Sequence, residues 1–346
     1  MYCIAAVLLV FLFLGLGARP AEAQRHVLKI GREQAYHGML KSDVPWILKI
    51  ASGDSVAFNT HMLMEGRLQS GMGMEEVDAL SAEIRAKKGG FYSFTGPFYV
   101  EDALPGDVLE VRVRRIVTGA WGMTMFFPHG KEALGIPELS AEGLVLSHRY
   151  SEDRKTMEFK PGITIPLRPF LGTMAVAPRS GEEYYPVDPG YYAGNMDIKE
   201  MGEGSTLFVP VNVEGALFMA ADAHGVQGDG EVCGTASETW FDEVELEFFL
   251  HKGGADQPIK GPRAETPTHW IVMSFHEDLN QAMKNAIRDV VDFLRNTQNL
   301  SAGEAYALSS LAVDFRVAQF GMSGLKSLYA MIPKGIFRTR ERQNGT

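Results

Sequence analysis

The chain has 346 residues, and its 43 Asp and Glu against 33 Lys and Arg give a formal net charge of −10 at pH 7. An acidic chain of this kind is a poor ligand for the phosphates of nucleic acid or for an anionic membrane, so we expect neither as a partner. The hydrophobic fraction of 45% supports a packed core and excludes an intrinsically disordered chain.

Residues 1–23 have the pattern of a signal peptide. The run Ile4–Leu16 is apolar, and Ala21–Ala23 reads Ala-Glu-Ala, the A-x-A pattern of a cleavage site. The run is shorter than the ~20 residues that a membrane-spanning helix needs. We therefore expect cleavage, export to the periplasm and no membrane attachment afterwards, with an uncleaved anchor as the alternative. Cys3 would leave with this segment, and Cys233 would then have no partner for an internal disulfide.

The region 24–262 is predicted to be mainly β. Short apolar and β-branched runs alternate with Gly, Pro, Asp and Asn, and Val108–Arg114 alternates clearly after the turn Pro105–Asp107. Many short strands separated by turns are typical of a β-sandwich or barrel. One helix is predicted within this region, over Glu75–Lys88, because apolar residues recur there at helical spacing.

The remaining residues, 263–346, are predicted to form a small α/β subdomain with an α+β arrangement. A strand over His269–His276 is followed by Asp278, which would cap a helix with an apolar stripe. Ser301 and Glu304 have the spacing of a capping box at the start of a second helix. Two further strands complete the chain, near 313–320 and 325–332.

The stretch 221–234 is rich in side chains that bind metals or transfer protons. If it begins in a strand, Asp222 and His224 share one face, and a carboxylate and an imidazole so placed are a common pair of ligands for one divalent cation. The Gly-Asp-Gly turn that follows would bring Glu231 back to the same place. The alternative is an ordinary hairpin that leaves His224 at the surface.

Other polar positions have both functional and structural interpretations. Asn195 and Asp197, two residues apart, could join the same site or could cap local backbone in an Asx turn. Cys233 could be a thiol nucleophile, although a lone cysteine is more often a small buried residue. His61–Met64 could bind copper, although methionines in such a stretch more often fill a core.

Several motifs resemble the acetamidase/formamidase family. They are Asn195–Asp197, Glu203–Leu207, and Asp222–Val232 with the pattern D-x-H-x-x-Q-G-D-G-E-V, supported by Thr95–Glu101, Pro105–Leu109 and Pro169–Thr173. The resemblance covers nearly all of the chain after the signal segment. It implies a jelly-roll-like β-sandwich followed by a small α/β subdomain, a homodimer or higher homo-oligomer, and hydrolysis of a small linear amide such as formamide or acetamide to a carboxylate and ammonia.

The resemblance also suggests roles for the candidate residues. We expect Asp197, Asp222 and His224 to hold a divalent metal, zinc or else calcium. Glu231 would act as general base and acid, and Asn195 would orient the amide or assist the metal. Residues expected to support these groups or to contact the substrate are Glu238, Gln227 and Asp229. The alternatives are hydrolysis of a lactam or larger amide, and a non-catalytic periplasmic binding protein on the same fold.

Overall fold

The structure is a computed structural model and describes residues 23–87, 90–128, 136, 138–139, 142–254, 259–320 and 324–337. Apart from Ala23, the expected signal peptide lies outside these residues, and its assignment stays a prediction. Among the helices of the described residues, none combines the length and the apolar character needed to cross a membrane.

The described part of the chain is mainly β and forms 22 strands. In chain order they are β1 (Arg25–Leu28), β2 (Leu40–Lys41), β3 (Leu48–Ile50), β4 (Ser55–Phe58), β5 (Thr95–Val100), β6 (Val108–Thr118), β7 (Trp121–Phe126), β8 (Leu144–Arg149), β9 (Thr156–Lys160), β10 (Ile163–Pro166), β11 (Phe170–Ala175), β12 (Glu183–Tyr184), β13 (Pro189–Gly190), β14 (Ala193–Asn195), β15 (Thr206–Pro210), β16 (Phe218–His224), β17 (Glu238–Thr239), β18 (Phe241–His251), β19 (Arg263–Glu265), β20 (His269–His276), β21 (Asp314–Gln319) and β22 (Lys326–Pro333).

Helices are few among the described residues. They are α1 (Leu63–Gly66), α2 (Met74–Ala86), α3 (Leu279–Gln298) and α4 (Ala302–Ala312), with short 3-10 turns at Arg32–Gln34, Lys252–Gly254 and Lys334–Ile336.

The strands assemble into two large sheets and two small strand pairs. The first large sheet has the order β1-β4-β18-β6-β15-β19-β20-β22-β21. The second follows the path β13-β14-β11-β16-β17-β7-β8, and β5, which also pairs with β3, joins it beside β16. Most neighbours are antiparallel, and the parallel pairs are β1 with β4 and β3 with β5. The jelly-roll connectivity implied by the resemblance stays a prediction.

The two large sheets share one hydrophobic core. Phe58 and Phe248 of the first sheet contact Phe98 of the second, with ring centroids 5.5 and 6.1 Å apart. Phe218, in the centre of the second sheet, lies 5.1 Å from Phe248. These aromatic rings bury large apolar areas, and such burial is the main favourable term in folding. They make the second sheet a rigid support for side chains placed on its central strands.

The local sequence signals for helices are confirmed. Helix α2 buries Val77, Leu80 and Ile84 on its inner face. The Asp278 carboxylate accepts the Gln281 N–H at 2.7 Å at the start of α3. Both bonds of the predicted capping box are present at the start of α4, between Ser301 and Glu304.

The C-terminal residues contribute both to the first sheet and to a separate small core. Strands β19 to β22 extend the first sheet beyond β15, while α3 packs on β20 and β22 around Val290, Leu294 and Ile332. Tyr329 and Met331, which are also on β22, belong to the main core. The predicted division at residue 262 stays a prediction.

Candidate active site

The centre of the second sheet brings an imidazole beside a carboxylate. His224, the last residue of β16, pairs with Phe170 of β11 on one side and Glu238 of β17 on the other. Residues paired across strands lie close enough for their side chains to touch, and here His224 Nε2 is 3.3 Å from Glu238 Oε2. The Phe170 ring stands edge-on to the imidazole, with centroids 5.0 Å apart. Glu238, expected only in a supporting role, is a direct neighbour of His224.

Asp222 also meets this imidazole, as its spacing suggested. Its Oδ1 lies 3.2 Å from His224 Nε2. Asp222 does not reach His224 by regular strand alternation. Its backbone is left-handed, with φ of 63°, and it has no paired residue in the register between β11 and β16. The convergence is therefore present, but it arises from a local departure from the strand.

Asp197 and Glu231 complete a group that we call the buried cluster, defined as Asp197, Asp222, His224, Glu231 and Glu238. One ligand-type atom from each of Asp197, His224 and Glu231 lies within 4.8 Å of the others, and the same holds for Asp222, His224 and Glu238. Asp197 and Glu231 have φ of 51° and 42°. Three of the four carboxylates thus have positive φ, a strain that collects at functional sites.

The turn before Glu231 is fixed by the C-terminal edge of the first sheet. Gly230, with φ of 96°, donates its N–H to Ala318 O at 3.1 Å and accepts the Phe320 N–H at 3.0 Å. Glycine suits the positive φ that this turn requires. The predicted return of Glu231 to the Asp222 and His224 pair is therefore present in the structure.

Gly172 of β11 leaves the space that the cluster occupies. A Cβ at this position would lie 2.4 Å from Asp222 Oδ2, 2.6 Å from Asp197 Oδ1 and 2.9 Å from His224 Cε1. All three distances are shorter than ordinary van der Waals contact. The Gly172 carbonyl also accepts the Asp197 N–H at 3.2 Å, so this glycine both admits and positions the cluster.

Asn195 is held in one orientation by groups that the sequence analysis did not find. Its Oδ1 accepts the hydroxyls of Tyr92 at 2.9 Å and Thr173 at 2.6 Å. Its Nδ2 donates to Asp197 Oδ2 at 2.5 Å. Two donors on the amide oxygen assign the NH₂ group to the carboxylate. Asn195 is thus placed to hold Asp197, and no local sequence signal connects Tyr92 with it.

Burial makes three of the carboxyl groups, those of Asp197, Glu231 and Glu238, hard to ionise. All five side chains of the buried cluster are 6% exposed or less. Burial raises the pKa of Asp197 and Glu231 well above their ordinary values, and the neighbouring negative charges add to this rise. Burial likewise raises the pKa of Glu238. The cause is the loss of hydration for the charged form.

His224, unlike these carboxylates, is favoured in its charged form by the cluster. Burial by itself lowers the pKa of His224, but the carboxylates of Asp222 and Glu238 outweigh that effect and raise the pKa well above its ordinary value. An opposite charge within a few ångströms favours the protonated imidazole. The carboxylates of the cluster therefore stabilise a positive charge placed between them.

The donor set fits a divalent cation. Within the described residues, Asp197 Oδ1 and His224 Nδ1, which belong to two of the expected ligands, are buried atoms with no hydrogen-bond partner. A native fold rarely leaves such atoms unmatched, and a cation would satisfy carboxylate and imidazole atoms together. Histidine with carboxylates is a usual ligand set for zinc, whereas calcium prefers oxygen ligands.

Other candidates lie beside the cluster or outside it. Gln227 is buried and donates to the backbone oxygen of Asp197 at 2.8 Å. Asp229 is bound by Lys199 Nζ at 2.8 Å and by the Tyr329 hydroxyl at 2.7 Å, and it belongs to neither group of possible metal ligands found among the described residues. The Cys233 thiol donates to Thr235 O at 3.4 Å. The nucleophilic role for Cys233 gains no support from this geometry.

Comparison with known proteins identifies the family of the chain. The sequence matches the Acetamidase/Formamidase family over residues 25–182 and 183–339. The chain belongs to this family. The motifs at 195–197 and 222–232 lie within the matched residues and carry most of the buried cluster.

Individual relatives give a more limited comparison. The chain is 31% identical to an acetamidase of Mycolicibacterium smegmatis over 130 residues, which are 32% of the chain and 32% of that protein. It is 27% identical to a formamidase of Methylophilus methylotrophus over 126 residues, 32% of the chain and 31% of that protein. The chain thus spans about a third of the length of these two relatives.

A solved structure extends the likeness to the whole fold. An acetamidase from Bacillus halodurans superimposes with a TM-score of 0.78 and 27% identity, covering 90% of the chain and 98% of that structure. The mainly β fold with large antiparallel sheets and C-terminal helices is therefore acetamidase-like.

Proposed function

We propose that the buried cluster hydrolyses small linear amides, of the formamide and acetamide kind, to a carboxylate and ammonia. The observation that carries the proposal is the meeting of one imidazole and four carboxylates in a buried space in a chain of the Acetamidase/Formamidase family. Amide hydrolysis needs an activated water, stabilisation of negative charge on the carbonyl oxygen, and a proton for the departing nitrogen.

The depth of the site favours a small substrate. Asp197 and His224 are 1% exposed, and Glu231 is 6% exposed. We infer that side chains buried this deeply are accessible only to a substrate of few non-hydrogen atoms. A dry site also strengthens the electrostatic interactions on which the reaction depends.

Asp197, Asp222 and His224 would hold a divalent cation, zinc or else calcium. The chemistry that such a cation supplies when bound is Lewis-acid polarisation of a carbonyl and acidification of water. Asn195 would act through Asp197, because its NH₂ group donates to that carboxylate. Glu238 would orient the imidazole through its contact with His224 Nε2.

Glu231 would transfer the proton. Its Oε2 has no hydrogen-bond partner among the described residues, so it is free to accept a proton from the attacking water. The same carboxyl group would then return that proton to the amide nitrogen as ammonia leaves. Burial raises its pKa, which suits a group that must hold a proton after accepting it and then release it.

The test combines elemental analysis of the purified protein with ammonia release from formamide and acetamide, before and after chelation. The expected result is bound metal, ammonia release, loss of activity on chelation and recovery when metal is returned. If protein with a full metal complement releases ammonia from neither amide, the proposal is contradicted.

A variant pair tests the proton transfer. Glu231→Gln should retain metal and reduce kcat by about 100-fold or more, since general acid–base catalysis contributes about 10²–10⁴-fold. Glu214→Gln is the matched control, because its carboxylate accepts the Tyr99 hydroxyl at the surface, and it should behave as the parent. Full activity of Glu231→Gln would remove Glu231 from the mechanism.

A further inference from the structure

Gln319, the last residue of β21, has a buried side-chain amide without a hydrogen-bond partner among the described residues. Its side chain is 0% exposed, yet neither Oε1 nor Nε2 has a hydrogen-bond partner within the residues that the structure describes. A glutamine amide offers both a donor and an acceptor. Buried amides are normally satisfied, and an exception calls for a ligand or a functional explanation.

The backbone of Gln319 lies between the two acid-bearing segments of the buried cluster. Gln319 pairs with Gly230 in an isolated parallel bridge, so it runs beside the turn that presents Glu231. On the other side, Gln227 Nε2 donates both to Asp197 O at 2.8 Å and to Ala318 O at 3.3 Å. One amide group thus ties the residue before Gln319 to the backbone of Asp197.

The side chain of Gln319 is on the sheet face that is directed towards the backbone of Met196. Gln319 pairs with Ser327 of β22, and side chains of paired residues lie on the same face of a sheet. The Ser327 hydroxyl donates to Met196 O at 3.1 Å, and Met196 lies between Asn195 and Asp197 in the chain. Gln319 therefore shares its face of the sheet with Ser327, whose side chain contacts the segment Asn195–Asp197.

A second amide atom nearby is also unmatched. Gln227 is 8% exposed, and its Oε1 is another buried atom without a partner in the described chain. The donors of Gln227 are used on backbone oxygens, so this atom is left as an acceptor. The neighbourhood of Gln319 thus combines one unused donor with two unused acceptors, which complements the carbonyl and NH₂ groups of a carboxamide.

We propose that Gln319 binds the substrate amide edge-on, with Nε2 donating to the substrate carbonyl oxygen and Oε1 accepting the substrate N–H on the same side. This inference rests on the proposed amide hydrolysis and names its substrate class. The paired contacts need an N–H on the same side as the carbonyl oxygen. Primary amides and lactams have one, whereas trans secondary amides, tertiary amides and esters do not.

The geometry predicts a selectivity that can be measured without any variant. The parent protein should prefer acetamide to N-methylacetamide by about 100-fold or more in kcat/KM, because a buried polar site left unpaired rejects the analogue that lacks its partner. The lactam 2-pyrrolidinone should bind and compete with acetamide. Equal use of acetamide and N-methylacetamide would overturn the proposal.

The substitution Gln319→Met tests the residue itself. It keeps the length of the side chain and removes both amide atoms, so kcat/KM for acetamide should fall about 100-fold, mainly through KM. The preference over N-methylacetamide should shrink by a similar factor. Replacing unpaired polar atoms by apolar ones of similar shape should not lower the thermal unfolding midpoint. The control Gln281→Met alters a glutamine at the start of α3 that is bonded to Asn285, and it should keep the parent's kinetics.

The outcomes separate this inference from the proposed function. If the parent releases ammonia from acetamide, and Gln319→Met has the same kcat/KM but lower stability, Gln319 is structural and only this inference fails. If the parent releases no ammonia, calorimetric titration with acetamide decides. Binding that is lost in Gln319→Met supports the amide contact, whereas absent or equal binding overturns it.

Discussion

Replacing Gly172 by alanine should disable the buried cluster without unfolding the protein. The added methyl group would lie 2.4 Å from Asp222 Oδ2 and 2.6 Å from Asp197 Oδ1, whereas optimal separations are about 3.5–4.0 Å. Each oxygen would have to move by about 1 Å. The strand cannot yield easily, because Gly172 O accepts the N–H groups of Met196 and Asp197.

The expected magnitude follows from these distances. Overpacking a tight interior destabilises by about 1–3 kcal/mol, which should lower the unfolding midpoint by several degrees. A displacement of about 1 Å at a reacting centre can reduce the rate by about 100-fold. Elemental analysis, thermal unfolding and ammonia release would measure the three effects.

A matched control is available in Gly261→Ala, because a Cβ at Gly261 would meet nothing within 4 Å. That variant should retain metal and kcat/KM. Parent-like metal content together with parent-like kcat/KM in Gly172→Ala would refute the claim that the cluster has no room for a methyl group.

Three further outcomes are expected. The metal-free protein should lose stability as the pH rises above about 4.5, because the folded state raises the pKa of Glu231, and a group with a raised folded pKa stabilises only while it stays protonated. Thermal unfolding with chelator across pH should show this slope, and Glu231→Gln should make it shallower, since Asp197 and Glu238 still contribute. Tyr92→Phe removes one of two donors to Asn195, so kcat/KM should fall about 5-fold, which corresponds to about 1 kcal/mol for one hydrogen bond. An unchanged value would contradict the orienting role. Asp278→Ala removes the cap of α3 and should cost about 1 kcal/mol in chemical denaturation while kcat/KM stays at the parent's value.

Local signals in the sequence predicted local structure well. The caps at Asp278 and Ser301 fix helix starts through bonds that span three residues, so the residues that carry the signal are the residues that make the contact. Strand order has no such signal. The insertion of β18 between β4 and β6 depends on packing between distant segments, and it could not be predicted from either strand alone.

The candidate site shows the same limit. Asp222, His224 and Glu231 are close in the chain, and their spacing with the glycine turn was enough to predict that they meet. Glu238 contacts His224 because the register between β16 and β17 pairs the two residues. No feature of the sequence indicates that register. Asp229 lies in the same turn and is also a carboxylate, but its two oxygens are bound by Lys199 and Tyr329.

The attachment of Gly230 to Ala318 and Phe320 has a consequence for how the protein matures. The carboxylate that follows this turn is positioned by a strand that is synthesised much later, so a ribosome-bound chain lacking its C-terminal residues would have no place to dock it. Contacts between such distant segments form late, because closing a long loop is slow. Catalytic competence should therefore appear only in completed chains, and partly synthesised or truncated chains should remain inert.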